Sequence, residues 1–243
     1  KDLGIHWEQT PVHKRDVLEP KMLLDETLMA NIRSLGGYNP EAGAKVKQER
    51  YLEARDPKHV AISLAGEPTL YPYLSELIEE IHSRDMTSFL VTNGTMPEVV
   101  ERITKPTQLY VTLAAPNETV HKQLLHPMVK DAWQRLLQTQ ELLHSFTCRR
   151  TNRLTMVAEE NMYNSRAYAD LIIMGEPDFV EVKGYMHIGS SRGRLNRDNS
   201  PTHRDIQAFS KKLAALTGYY VTDEQIESRV VLLSRKKNIR RIN

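Results

Sequence analysis

His59-Val60-Ala61-Ile62-Ser63-Leu64-Ala65-Gly66-Glu67-Pro68 is the stretch on which the reading of the fold turns. Val60, Ile62 and Leu64 are apolar in a run too short for a helix, which predicts a short buried strand over 60–64. Gly66 lets the backbone turn at positive φ or come close to a ligand, and Pro68 prevents the strand from continuing. Between them, Glu67 puts a carboxylate at the carboxyl end of what reads as a parallel strand. That is the end at which parallel sheets and barrels bind ligands. On these residues alone, an ordinary loop carrying a solvated acid fits at least as well.

Downstream, strand and helix alternate. The apolar spacing predicts helix 71–83, strand 87–91, helix 97–103, strand 107–113, helices 117–125 and 131–145, strand 152–158, helix 165–174 and strand 179–183. Asn93-Gly94 suits a tight hairpin, but Thr95-Met96-Pro97-Glu98 opens a helix, so a strand-to-helix loop is expected there. Upstream, residues 5–12 read as a strand, and Pro20 opens a helix over 20–35 that Gly36-Gly37 closes. Residues 38–58 read as a polar surface excursion with one short helix. Six strands alternating with helices predict an α/β fold, an incomplete (β/α)6 barrel of the TIM type over residues 1–200. Residues 201–243 form a C-terminal α+β extension: helix 202–216, then strands 219–222 and 229–233 as a hairpin-like appendage.

Composition bounds the function classes. A chain of 243 residues, 40% hydrophobic, buries a substantial core without disulfides, and its single cysteine, Cys148, excludes an intramolecular one. A reducing, cytoplasmic location is therefore expected. No apolar run approaches membrane-spanning length, and Lys1-Asp2-Leu3-Gly4 does not read as a signal peptide. From Ser190 onward there are 12 Lys and Arg against 5 Asp and Glu, although the whole chain carries only +2. That asymmetry fits a polyanionic partner met by one face, and fits solvated helix faces with a loose tail equally well.

Polar or small residues stand at each expected strand end. They are Gly66-Glu67-Pro68, then Thr92-Asn93-Gly94, Thr112 before Ala114-Ala115-Pro116, Arg153 and Thr155 before Glu159-Glu160-Asn161, and Lys183-Gly184 before Tyr185 and His187. At the same end of successive strands they would converge on one pocket. Lys183 ends a buried strand, where an ammonium needs a carboxylate, a ligand or water. His6, His59, His121, His126 and His203 lack metal-ligand spacing and read as structural or surface residues. Arg192-Gly193-Arg194 and the Arg235-Lys236-Lys237 tract with Arg240-Arg241 are phosphate-binding candidates.

Gly66-Glu67-Pro68 after a strand resembles the Gly-Glu-Pro motif of radical S-adenosylmethionine (SAM) enzymes. Longer stretches narrow the resemblance: Ala61 to Pro72, Phe89-Leu90-Val91-Thr92-Asn93-Gly94, Pro106 to Val111, Arg153 to Val157 and Phe179 to Met186. They are similar to the tRNA 4-demethylwyosine synthase family across most of 57–200 and more loosely to about residue 233. The family builds a tricyclic base on N1-methylguanosine beside the anticodon of phenylalanine tRNA.

The resemblance implies SAM and [4Fe–4S] cofactors, two clusters in the full-length protein, with pyruvate as two-carbon donor, the tRNA-Phe anticodon loop as substrate and an external electron donor. It assigns Gly66, Glu67, Pro68, Thr92, Asn93, Gly94, Thr112 and Thr155 to SAM, and Lys183 to the catalytic mouth. Arg153, Tyr185, Arg192, Arg194, Lys211 and Arg235 become candidate tRNA contacts. One departure is large: the family's Cys-x3-Cys-x2-Cys loop has no counterpart between Val12 and His13. The sequence shown omits that loop, or the chain is a cluster-less relative. The family's pyruvate-binding lysine and its further N-terminal cysteines have no matching position either. An RNA-binding barrel without chemistry, and radical SAM chemistry on another substrate, stay open as alternatives.

Overall fold

A computed structural model describes residues 17–63 and 66–242, apart from the Ser190 side chain. The strand expected over 5–12 and the junction between Val12 and His13 lie outside the described residues. Helix α1 (Pro20–Ser34) starts on Pro20, whose missing N–H costs nothing in a first turn. α2 (Gln48–Arg55) is the one short helix of the polar excursion.

From there the chain alternates: β1 (His59–Ile62), α3 (Leu74–Ser83), β2 (Thr87–Thr92), α4 (Pro97–Arg102) and β3 (Gln108–Thr112). α5 (Glu118–Leu125), α6 (Ala132–Leu142), β4 (Arg149–Met156), α7 (Ser165–Gly175) and β5 (Phe179–Gly184) follow. α8 (His203–Thr217), β6 (Tyr220–Gln225) and β7 (Val230–Ser234) complete the described chain. β4 begins three residues before its expected start, because Arg149 and Arg150 extend the ladder beside β3.

β1 to β5 are parallel and neighbour one another in chain order. Among the described residues the sheet is open, an incomplete barrel of α/β type. The C-terminal hairpin is not set apart from it: β7 pairs antiparallel with β5, and β6 with β7, which makes one sheet of seven strands.

Each strand presents two faces. Ser88, Leu90, Leu109, Val111, Leu154, Met156, Val180 and Val182 pack under α3 to α8, where Ile78, Leu136, Tyr168, Ile172 and Leu213 are also fully or almost fully buried. The alternate residues, among them Tyr110, Thr112, Arg153, Thr155, Glu181 and Lys183, line the concave face and are only half-buried. β1 corrects an expectation, since its residues alternate between exposed and half-buried. Among the described residues it pairs only with β2, so one side of the strand has no covering ladder.

Candidate functional site

The first strand tip is built around the Glu67 carboxylate. Gly66 takes φ +77°, in the left-handed region that glycine enters without strain, and so turns the chain back over the sheet. Pro68 then begins a single 3-10 turn. Glu67 Oε1 accepts from Thr69 N–H (3.2 Å), Thr69 Oγ1 (2.7 Å) and Thr92 Oγ1 (2.6 Å). Its Oε2 accepts from Asn93 N–H at 2.8 Å, which ties the tips of β1 and β2 together. All four donors are neutral, and among the described residues no cation pairs with this carboxylate. A carboxyl group held in one orientation with no cation beside it is placed to accept from an ammonium group.

The β2 tip is equally constrained. Thr92 Oγ1 accepts from Gly94 N–H at 3.1 Å, and Asn93 Oδ1 accepts from Thr95 N–H and Thr95 Oγ1 at 2.9 and 2.7 Å. Asn93 is exposed, so its remaining polar atoms face outward. Gly94 takes φ +73°, and a Cβ there would lie 2.8 Å from Leu136 and 3.1 Å from Val111. Pro97 starts α4 rather than a partner strand, as the strand-to-helix reading of Asn93-Gly94 requires.

The β3 and β4 tips are stapled by Asn161, which is fully buried. Its Nδ2 donates to the carbonyls of Ala114 and Thr155, each at 2.8 Å, and its Oδ1 accepts from Val157 N–H at 2.6 Å. Thr112 and Thr155 thus stand on a braced rim.

On the concave face below them, Thr112 is in register with Arg153, and Arg153 with Glu181. Arg153 is ion-paired to Glu181 at 2.8 Å, and its guanidinium lies 4.5 Å from the centre of the Tyr110 ring. Burial first, then the Glu181 charge, pushes the Tyr110 hydroxyl above its ordinary pKa. Arg153 is therefore committed to the floor of the site. Lys183 stands one row higher, beside Thr155 and Val230, and among the described residues its ammonium has no hydrogen bond or ion pair.

The remaining sequence-predicted residues divide by position. Tyr185 is buried, and its hydroxyl bonds to Ser191 Oγ at 3.0 Å and His187 Nδ1 at 3.2 Å, so it braces the loop after β5. Arg192 and Arg194 are exposed on that loop, at the same end of the sheet as Glu67 and Lys183. Lys211 lies exposed partway along α8, on the outer wall. Arg235 follows β7, which runs antiparallel to β5, so it sits at the opposite end of the sheet near Glu176. The SAM candidates, Lys183 and the Arg192–Arg194 loop all stand at the carboxyl end of the parallel strands, and Arg235 stands at the other end.

Thr69 and Glu181 are site residues that the sequence reading passed over. Thr69 lies inside the resemblance stretch, and Glu181 shares strand parity with Lys183; both signals were present. The chain's one thiol, Cys148, precedes β4 at the far end of the sheet from Glu67. Among the described residues, no three His, Cys, Asp or Glu side chains gather to hold a metal. These residues do not fit an iron–sulfur cluster, whereas the Glu67 tip fits the amino group of SAM. Among the described residues, no helix is long and apolar enough to cross a membrane.

Two family models match the chain, the radical SAM superfamily over residues 37–171 and wyosine base formation over 174–235. The chain is 44% identical over 222 residues to the S-adenosyl-L-methionine-dependent tRNA 4-demethylwyosine synthase of Pyrococcus abyssi, covering 89% of this chain and 64% of that protein. It is 35% identical over 247 residues to the synthase of Methanocaldococcus jannaschii, covering 100% of this chain and 75% of that one. A solved structure of TYW1 with a lysine–pyruvate adduct bound superimposes with a TM-score of 0.82 at 33% identity, over 91% of this chain and 71% of that one. A crystal structure of archaeal TYW1 superimposes with a TM-score of 0.78 at 31% identity, over 93% and 74% of the two chains. The chain spans about two thirds of the length of its Pyrococcus relatives, at 64%.

Proposed function

The chain belongs to the tRNA 4-demethylwyosine synthase family of the radical SAM superfamily, and on that premise we propose that it acts in forming the tricyclic 4-demethylwyosine base on N1-methylguanosine-37 of tRNA-Phe, with pyruvate as the two-carbon donor. The observation that carries the reading is the Glu67 carboxylate, fixed by Thr69, Thr92 and Asn93 at the tip of a parallel strand in an open barrel.

When bound, SAM supplies the radical chemistry, and the protein supplies placement. Gly66 and Pro68 set the turn that presents Glu67, which would take the methionine amino group. The exposed Asn93 side chain, with Thr92 and Gly94 behind it, would hold the ribose and carboxylate. Thr112 and Thr155 line the mouth with hydroxyls. Lys183, whose ammonium has no partner among the described residues, is suited to the carboxylate of pyruvate. Arg192 and Arg194 hold the RNA backbone against the rim, while the target base leaves its stack to enter.

The test is mass spectrometry of tRNA nucleosides after anaerobic incubation of the full-length, iron–sulfur-reconstituted protein with SAM, pyruvate, reductant and tRNA bearing N1-methylguanosine. We expect the tricyclic nucleoside, dependent on each component; its absence from a cluster-loaded preparation overturns the proposal. One observation favours a second reading, an RNA-binding barrel without chemistry: the only thiol, Cys148, stands at the wrong end of the sheet for a cluster. Iron and sulfide analysis after reconstitution separates the two, because that second reading requires that neither be retained.

A further inference from the structure

Beyond the tip of β5 the chain forms a concavity of about 720 Å³ that the SAM-binding reading does not use. Two separate segments shape it. The loop after β5 brings Met186, His187, Ile188 and Arg197, and the turn joining β6 to β7 brings Ile226 and Arg229. Gly184 N–H donates to the Arg229 carbonyl at 2.8 Å and Gly184 faces Arg229, Pro201 and Ile206, so the concavity opens at the same end of the sheet as Lys183, on the α8 side of β5.

Its composition is unusual for a solvated rim. Ile188 is 58% exposed, Ile226 63% and Met186 38%. Large aliphatic side chains this open, on two segments facing one hollow, mark a surface that meets an apolar partner. Of the charged residues lining the hollow, Arg197 and Arg229 are cationic and Asp198 anionic, His203 is paired with Glu224 at 3.0 Å, and Arg192 and Arg194 stand outside it on the same loop. Three exposed apolar side chains with the two guanidinium groups of Arg197 and Arg229 beside them suit a nucleotide, which is flat and apolar on its faces and anionic at its phosphate.

We propose that this concavity receives an unstacked nucleobase of the RNA substrate adjacent to the one being modified, with Ile188 and Ile226 as its walls and Arg197 on its phosphate. The proposal rests on the tRNA-modifying reading and deepens it. A guanine that swings out of a stacked loop leaves its neighbour with an uncovered face. A pocket at the same end of the sheet that takes this neighbour offsets part of the unstacking cost. It also sets which base reaches the centre.

The experiment uses the full-length protein and a synthetic anticodon stem-loop carrying N1-methylguanosine, with 2-aminopurine as the next nucleotide on its 3′ side. Binding is followed by fluorescence anisotropy and by 2-aminopurine emission. We expect emission to change on binding to the unaltered protein. Ile188→Ser with Ile226→Ser should abolish that change and weaken binding about tenfold without altering the salt dependence. Arg197→Gln should lower the slope of log affinity against log salt by about one. Both isoleucines are more than half exposed, so the substitutions spare the core, and a thermal melt verifies this.

If the unaltered protein does not prefer this stem-loop to an unrelated hairpin of equal length, the tRNA reading fails. If it does prefer it and the double variant leaves emission and affinity unchanged, the pocket proposal fails while the reading stands. Lost turnover with RNA binding intact would assign the concavity to another partner and overturn the proposal.

Discussion

Arg153 Nε and Glu181 Oε1 lie 2.8 Å apart across β4 and β5, and both side chains are largely withdrawn from water. Glu181 is two residues from Lys183 on the same face of β5, so the pair decides what the Lys183 ammonium meets. With Glu181 held by Arg153, Lys183 has no carboxylate partner among the described residues and stays open to an anionic substrate.

Removing the arginine tests this arrangement. In Arg153→Met, Glu181 loses its counter-charge and turns toward Lys183. The KM for pyruvate should rise about tenfold, roughly 1.4 kcal/mol of lost binding. Adding Glu181→Gln to the same chain should restore most of it, because the competing carboxylate is gone. A double variant as impaired as the single one would show that Glu181 does not compete for Lys183.

Glu67→Gln keeps the shape of the side chain and removes its charge. Oε1 accepts three hydrogen bonds and Oε2 one, so the amide NH2 must face a donor in either orientation. SAM affinity by calorimetry should fall by at least tenfold, the scale of losing a charge-assisted bond and leaving a donor unmet. Unchanged affinity would remove Glu67 from the SAM site.

Gly94→Ala should destabilise the fold. The left-handed backbone costs about 1–2 kcal/mol for a residue with a Cβ. Crowding against Leu136 and Val111 adds roughly 1–3 kcal/mol. Urea unfolding measures the sum, and a loss below about 1 kcal/mol would mean that the β2 tip relaxes freely.

Asp178 gives the stability a pH dependence. Burial pushes its carboxyl up, but the Arg150 side chain and backbone N–H, with the Arg150 charge, outweigh burial and hold it below the usual carboxylate range. A folded-state pKa below the unfolded one stabilises fully above the unfolded value, about 3.9, and that stability is lost as pH falls through the folded value. Asp178→Asn should lower the thermal midpoint at pH 7, where Arg150 keeps its charge without a partner. As pH falls below about 3.9 and on through the folded value, the gap between the variant and the unaltered protein should narrow. A constant gap between the two melting curves down to pH 3 would contradict this.

Element type and order were legible in the chain itself. The spacing of Leu74, Leu77, Ile78 and Ile81, the Asn93-Gly94 stop before Pro97, and the polar tips of β2 to β5 are local signals. Hydrophobic period and turn chemistry act within a few residues. The Gly66-Glu67-Pro68 turn was readable for the same reason, because glycine and proline restrict their own backbone wherever they stand.

What tertiary structure alone decided is which side chains meet. Pairing β7 to β5 sends Arg235 to the far end of the sheet and the Ile226–Arg229 turn to the mouth. Register across β4 and β5 gives Arg153 to Glu181 and leaves Lys183 without a carboxylate partner among the described residues. A composition count sees one basic C-terminal quarter in both cases. Charge pairing depends on distance through space, which strand order and direction set, and residues 153 and 181 carry no local signal of the strand pairing that joins them.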